Sequence, residues 1–517
     1  MKRPIHLAAA LDFQGRAVSQ NALKRAANIL SRIAEGEEQD FRTPLWDGGP
    51  RDELLNELAN TIGNSGNAII DRRDEEERKL VGTLSRAKPF SDELKEKVEA
   101  YYSQSFSGDE ESLRHATLKV AQQLRPHSVR PLGFKTAFDT VDWSKSSGWP
   151  YLENDGEHSQ EYLIRAESLE VPEDVYPSQL FVRGQQSGSE CAKLRPVFGA
   201  DKTIVIYEAR FMYPILNALR HVPGHAAWGT PEDVSIGVTK LMNMAEELGV
   251  PTFSGDFRRF DSSCPRQLID CAGSLEKYWM PESLSNDIEL SIEAFKTVPL
   301  VIPWEVKYGK VGGVPSGFST TNLRDGNCNH IAMEYVAIRN EATLRGIEIM
   351  GDDLVCVFEP FIPPERVSDT VSELGLEMNP EKQVISDEYL LFLQKLHILS
   401  MKVNGICHGI HSPFRSATGW FGFEHWHEDW DEYLVSSRLW MQVENCKYDP
   451  RFPKIVEFGY KGDKLVQGGM ELTEIFRRAG PTQRIMDALD KASFPFMQYR
   501  PEGLESFASL PILRALQ

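Results

Sequence analysis

Two short stretches place acids where apolar surroundings make charge costly. IEIMGDDLVCVFE, residues 347–359, sets Asp352 and Asp353 between apolar and β-branched runs. SGDFRRFD, residues 254–261, puts Asp256 and Asp261 where a strand-like run gives way to a helical one. If the two strands are neighbours, Asp256 and Asp352 converge, and carboxylates a few ångströms apart do not both ionise cheaply. A divalent cation resolves that conflict. Carboxylate oxygens are hard ligands that suit Mg2+ or Mn2+, and two such ions about 4 Å apart activate an attacking oxygen and stabilise a leaving one in phosphoryl transfer. Gly-Asp-Asp alone also fits a plain hairpin turn, where Asp is common. The second acidic strand end is what favours the metal reading.

Positioning these acids requires a particular set of elements. VPTFSGDF (250–257) reads as a strand, and SSCPRQLIDCAGSLEKYW opens a helix with Ser263 as cap, Pro265 in its first turn, and Leu268, Cys271, Ala272 and Leu275 at helical spacing. The glycine-rich GGVPSG (312–317) leads into a second long helix through Tyr335 and Val336. Gly351 and Asp352 form a tight turn between two short strands. The order strand, helix, glycine loop, helix, hairpin predicts an α+β layer with helices on one face of an antiparallel sheet. Residues 100–245, rich in Gly, Pro and Ser, read as long functional loops, including KSSGWPYL (145–152) and RGQQSGSECAKLRPVFG (183–199). DRRDEEERK (71–79) reads as a solvated helical face.

Bulk properties narrow the class. With 517 residues, 41% of them hydrophobic, the chain can bury sizeable cores. No run approaches the ~20 apolar residues of a membrane span, and the apolar run in MKRPIHLAAALDF is short for a signal peptide, so a soluble, intracellular protein is expected. Seven cysteines without a CxxC pair predict reduced thiols. A net charge of −19 argues against a surface built to coat duplex nucleic acid but permits a channel lined locally with Lys and Arg. Cys407, His408, His411 and the HWHED segment (425–429) match no standard zinc spacing, and the aromatics of GWFGFEHWHEDW (419–430) read as packing.

SGDFRRFD, GGVPSGFSTTNLRDGNCN and IMGDD, in this order, resemble motifs A, B and C of viral RNA-dependent RNA polymerases. LGLEMNPEKQV (374–384) resembles motif D, EYLLFLQKL (388–396) motif E, KLRPVFG (193–199) motif F and SSGWP (146–150) motif G. The likeness spans roughly residues 145–400, and GVPSG followed by Thr and then Asp is the form of the double-stranded-RNA partitiviruses and picobirnaviruses.

The resemblance implies a right-hand polymerase fold: an N-terminal extension (1–90) bridging fingers and thumb, fingers at 91–245 and 276–305, palm at 246–275 and 306–400, and thumb at 401–517. It implies that Asp256 and Asp352 bind two Mg2+ or Mn2+ ions, assisted by Asp353. Lys193, Arg195 and Arg183 would clamp the triphosphate, and Lys382 would give a proton to pyrophosphate. Asp261, Ser316 and Thr321 would read the ribose, with Gly313 and Gly317 letting the loop move. Asp325 stands where many positive-strand enzymes have Asn, so the ribose contacts differ in detail. RNA template and product, ribonucleoside triphosphates and a viral capsid protein are the implied partners, in the virion interior and host-cell cytoplasm. A reverse transcriptase would need a bulky residue at position 261. A metal-dependent nuclease leaves KLRPVFG and GGVPSG unexplained, and an RNA-binding or capsid-associated protein fits poorly with the acidic balance.

Overall fold

Gly351 and Asp352 leave two residues between paired strands, and Gly351 sits at φ +62°, the left-handed region a tight hairpin demands. The strands it joins, Thr343–Met350 and Asp353–Glu359, form half of a four-stranded antiparallel sheet completed by Thr252–Gly255 and Val384–Ser386. The computed structural model describes residues 13, 15–36, 41–43, 50–81, 90, 92–123, 129–185, 193–423, 430–481, 484 and 507–517. Cys191 and the 425–429 segment lie outside them.

Both faces of this sheet are covered, where the sequence pattern predicted one. Along Asp353–Glu359, Leu354, Cys356 and Phe358 enter the main core, while Val355 and Val357 pack with Val234, Val238, Leu241, Met242 and Ala245 of the helix Pro231–Leu248. A strand buried on both faces reads as a continuous apolar run, which LVCVF is. On the main-core side lies the helix Thr321–Arg339, buried at every position from Asn327 to Ala337. Its Arg324 is fully buried and bonded to Glu276 (2.8 and 3.0 Å) and Glu208 (3.3 Å). Glu208 also accepts from the Thr320 N–H (3.1 Å) and hydroxyl (2.9 Å), which fastens the start of that helix.

The region read as loops holds the helices Glu110–Gln123, Ser159–Glu167, Lys202–Leu219 and Pro231–Leu248. KTIVIYEARFMYPILNAL is apolar on most sides and carries Pro214, so a buried helix there has no clean amphipathic period. Two strands, Ser178–Gln185 and Lys193–Gly199, form a second sheet with Leu300–Ile302 and Glu305–Lys307. The helix after the acidic strand begins at Arg266, with Pro265 rather than Ser263 at the cap, because Phe260–Ser263 forms a separate helical turn.

The N-terminal helices join two separate hydrophobic cores. Ala22, Ala26 and Leu30 pack against Trp149, Tyr176 and Val301, whereas Leu54, Leu55, Leu58 and Ile62 join Trp420, Trp440 and Phe458. Phe41–Arg42 pairs with Gly422–Phe423. The charge run is solvated on one face, with Arg72, Glu75, Glu76 and Lys79 exposed, but within the helix Ala68–Leu80 Asp74 and Glu77 point inward and are buried. Asp74 pairs with Arg451 and accepts from the Ser412 hydroxyl (2.6 Å), and Glu77 accepts from Arg415 (2.8 Å) and Arg73. Arginines more than 300 residues away convert an acidic stripe into an internal joint.

Candidate active site

Asp256 follows its strand by one residue. The last paired residues are Gly255 and Leu354, so Asp256 lies across from Asp353. Gln383 fixes its backbone in both directions: the Asp256 N–H donates to Gln383 Oε1 (2.9 Å), and Gln383 Nε2 donates to the Asp256 carbonyl (3.1 Å). Lys382, exposed, is the neighbour of that clamp. Asp352 occupies the hairpin turn and Asp353 begins the next strand.

The electrostatics agree with this convergence. Burial, then the charge of Asp261, push Asp352 up to about 6, with Asp256 adding to the rise. Burial, then Asp352 and Asp256, push Asp353 up to about 7. Asp352 is exposed in surface area yet closely surrounded by protein, as a group on the wall of an internal channel would be. Three acids on paired strand ends that disfavour one another's charge form a hard-oxygen donor set whose repulsion a divalent cation relieves, so the residues fit the expected metal. Among the described residues, Glu153, Glu157 and His158 bring ligand atoms within 4.8 Å of one another and could also hold a metal ion. That group lies beside the SSGWP loop and contains none of the expected ligands; Glu153 already accepts from His158 Nδ1 and from the His158 N–H (2.7 Å each).

Around the acids stands a second group of residues. Arg195 Nη2 donates to Asp261 Oδ2 (2.7 Å), and the Asp261 charge is the main cause of the raised Arg195 pKa. The expected triphosphate clamp and the expected ribose acceptor are therefore bound to each other. Arg183 pairs directly across from Arg195, so both side chains leave the same face of their strands. Lys193 pairs with Gln185, and its side chain lies outside the described residues.

Asp325 is buried, and burial followed by the charge of Asp261 pushes its pKa well up. Its Oδ1 has no hydrogen-bond partner among the described residues.

The glycine-rich loop is anchored through its own Ser316 and through Thr321 at the start of the following helix. The Phe198 N–H donates to the Ser316 hydroxyl (3.2 Å), and the Thr321 hydroxyl donates to the Pro315 carbonyl (2.9 Å). Val314 N–H donates to the Asp261 carbonyl (2.6 Å). A Cβ on Gly317 would stand 2.0 Å from the Phe198 carbonyl oxygen, so the loop needs glycine there for a close backbone approach. Ser316 and Thr321 thus hold the loop that adjoins Asp261.

A family model for viral RNA-dependent RNA polymerases matches residues 74–444. The chain belongs to this family. Its activity is accordingly template-directed RNA synthesis by an RNA-directed nucleotidyltransferase. A protein of a human picobirnavirus (strain Human/Thailand/Hy005102), described as a potential RNA-dependent RNA polymerase, is 25% identical over 495 residues, 89% of each chain. The crystal structure of a human picobirnavirus RNA-dependent RNA polymerase has a TM-score of 0.78 at 22% identity, covering 94% of this chain and 96% of that one. A sicinivirus RNA-dependent RNA polymerase has a TM-score of 0.59 at 15% identity, covering 76% and 89%. The polymerase shares their mixed α/β fold of fingers, palm and thumb. No helix of its described residues is long and apolar enough to cross a membrane.

Four neighbours of the site carried no signal in the sequence. Gln383 and Glu208 act through contacts 127 and 112 residues distant. The buried Tyr101 hydroxyl feels Asp261, Arg195 and Asp325. Asn329 donates to the hairpin turn itself. Among the described histidines of this region, His408 stacks on Tyr448 at 4.0 Å, and His411 is buried, with burial the main cause of a pKa lowered to about 3. Trp420 and Phe421 pack in the C-terminal core, as expected.

Proposed function

We propose that the polymerase extends an RNA 3′ end with ribonucleotides by a two-metal mechanism, in which Asp256 and Asp352 hold Mg2+ or Mn2+ and Asp353 assists. The observation that carries this reading is the meeting of the three acids at adjoining ends of two paired strands, with Asp352 and Asp353 disfavoured as anions by burial and then by their neighbours. When bound, the two ions supply activation of the attacking 3′-hydroxyl and stabilisation of the leaving pyrophosphate. Arg195, Arg183 and Lys193 meet the triphosphate charge. Lys382, carried beside Asp256 by the Gln383 clamp, gives pyrophosphate its proton.

Ribose selection follows from an exchange. An incoming triphosphate draws Arg195 from Asp261, and the 2′-hydroxyl takes the vacated carboxylate oxygen. Asp325, whose protonated form is favoured by burial and by the charge of Asp261, offers an O–H donor where many positive-strand enzymes carry the amide of Asn. Ser316, Gly317 and Thr321 hold the loop against which the sugar lies.

The division into fingers at 91–245 and 276–305, palm at 246–275 and 306–400, and thumb at 401–517 is supported by the strand Leu300–Ile302, which joins the sheet of Ser178–Gln185. The packing of the helices Gln20–Glu35 and Arg51–Ile62 on fingers and thumb residues respectively supports closure by the N-terminal extension (1–90). RNA template, product and ribonucleoside triphosphates are the partners at the site. A viral capsid protein is the further partner, with the enzyme working in the virion interior and host-cell cytoplasm.

The test is incubation of the purified chain with an RNA template, four ribonucleoside triphosphates and Mg2+. Full-length complementary RNA is expected from the wild type and none from Asp352→Ala with an unchanged circular-dichroism spectrum. A folded Asp352→Ala protein that still extends RNA would overturn the metal assignment.

A further inference from the structure

Hairpin turns normally leave their carbonyls to water, and here a helix supplies the partner instead. Asn329, fully buried on Thr321–Arg339, donates from Nδ2 to the Gly351 carbonyl (3.0 Å) and to the Asp352 carbonyl (3.3 Å). The reverse amide orientation would set Oδ1 against two carbonyl oxygens, so the donor assignment follows from the contacts. Asn322, Asp325, Gly326 and Asn329 fall at successive i, i+3, i+4 and i+7 positions and share one helical stripe. That stripe seats the turn. A Cβ on Gly326 would come 4.0 Å from the Gly351 N, and one on Gly351 would meet Asn322 Oδ1 at 3.7 Å and Asp325 Cβ at 4.0 Å.

We infer that Asn329 is a positioning residue for Asp352: its carboxamide grips both carbonyls of the hairpin turn and thereby aims the carboxylate that the turn carries. The inference rests on the reading of Asp352 as a metal ligand. Asn329 Oδ1 has no hydrogen-bond partner among the described residues, so the amide is not part of a fully satisfied core network. Its donors account for its presence in an otherwise costly place. A hydrophobic residue of equal size would leave two turn carbonyls unpaired and the turn free to rotate. Asn329 touches no reacting atom, and its effect passes through the backbone of Asp352.

Binding of Mn2+ by the full chain, read from the loss of the free-ion electron paramagnetic resonance signal, tests this without turnover. Asn329→Ala is expected to weaken Mn2+ binding about tenfold or more, as loss of a residue that orients a ligand does. Two carbonyls are left unpaired, so its melting temperature in EDTA falls by about 2–6 °C while the chain stays folded. Asn329→Ser, which keeps one donor, falls between wild type and Asn329→Ala, and it decides the question by the same criteria if the alanine variant does not fold. Wild-type Mn2+ affinity in a folded Asn329 variant overturns the inference. Wild-type affinity in Asp352→Ala as well would instead remove the metal reading beneath it.

Discussion

Replacing Asp353 by Asn should make the metal-free polymerase more stable while disabling it. Burial, Asp352 and Asp256 raise Asp353 from 3.8 to about 7. A carboxyl whose folded-state pKa lies above its unfolded value favours folding fully below the unfolded value and loses that contribution as pH rises through the folded one. The window here runs from 3.8 to about 7. Above it the folded chain holds an anion it disfavours. Three pKa units correspond to about 4 kcal/mol. The carboxylate is half-buried, and screening by the water that reaches it leaves about 1–2 kcal/mol. At roughly 1 kcal/mol per kelvin for a chain of this length, Asp353→Asn should raise the melting temperature in EDTA by about 1–2 °C at about pH 8. At about pH 5 a larger share of the wild-type carboxyl is protonated when folded, and the gain should be smaller. Differential scanning fluorimetry at the two pH values reads both numbers. A variant less stable than wild type at the higher pH, or a gain that does not shrink on acidification, would refute the account of the site as a set of mutually disfavoured acids.

Two further outcomes follow from the geometry. Asp261→Ala removes the proposed ribose acceptor, and a hydrogen bond to a charged group worth about 1.5–3 kcal/mol predicts a roughly 10- to 100-fold fall in preference for ribo- over deoxyribonucleoside triphosphates; an unchanged ratio in a competition assay would count against the role. Gly317→Ala drives a Cβ toward the Phe198 carbonyl and breaks the Ser316 contact, so incorporation should fall and melting should drop by about 2 °C or more. Wild-type melting and incorporation would show that the loop does not need glycine there.

The acidic hairpin was legible because its causes are local. A Gly-Asp turn between β-branched runs states its own conformation within a dozen residues, and the following helices announce themselves by spacing or by Gly and Pro at their starts. Helix Lys202–Leu219 was not legible, since burial on most sides erases the period that marks an amphipathic helix. The charge run at 71–79 hid two of its acids for a related reason: Asp74 and Glu77, buried against arginines, are written with the same letters as their solvated neighbours. Local pattern also could not tell a one-faced sheet from a two-faced one until the helix Pro231–Leu248 was seen on Val355 and Val357.

By itself, the sequence determined the order of motifs, the turn that carries Asp352, and the residue types able to hold a divalent cation or meet a triphosphate. Tertiary structure alone decided the states of those residues. Arg195 is spent on Asp261, 66 residues away; Asp325 is buried beside the same acid; and Asn329 holds a turn 22 residues further along. Backbone conformation follows from neighbours in the chain, whereas protonation and hydrogen-bond partners depend on which distant groups share a low-dielectric interior.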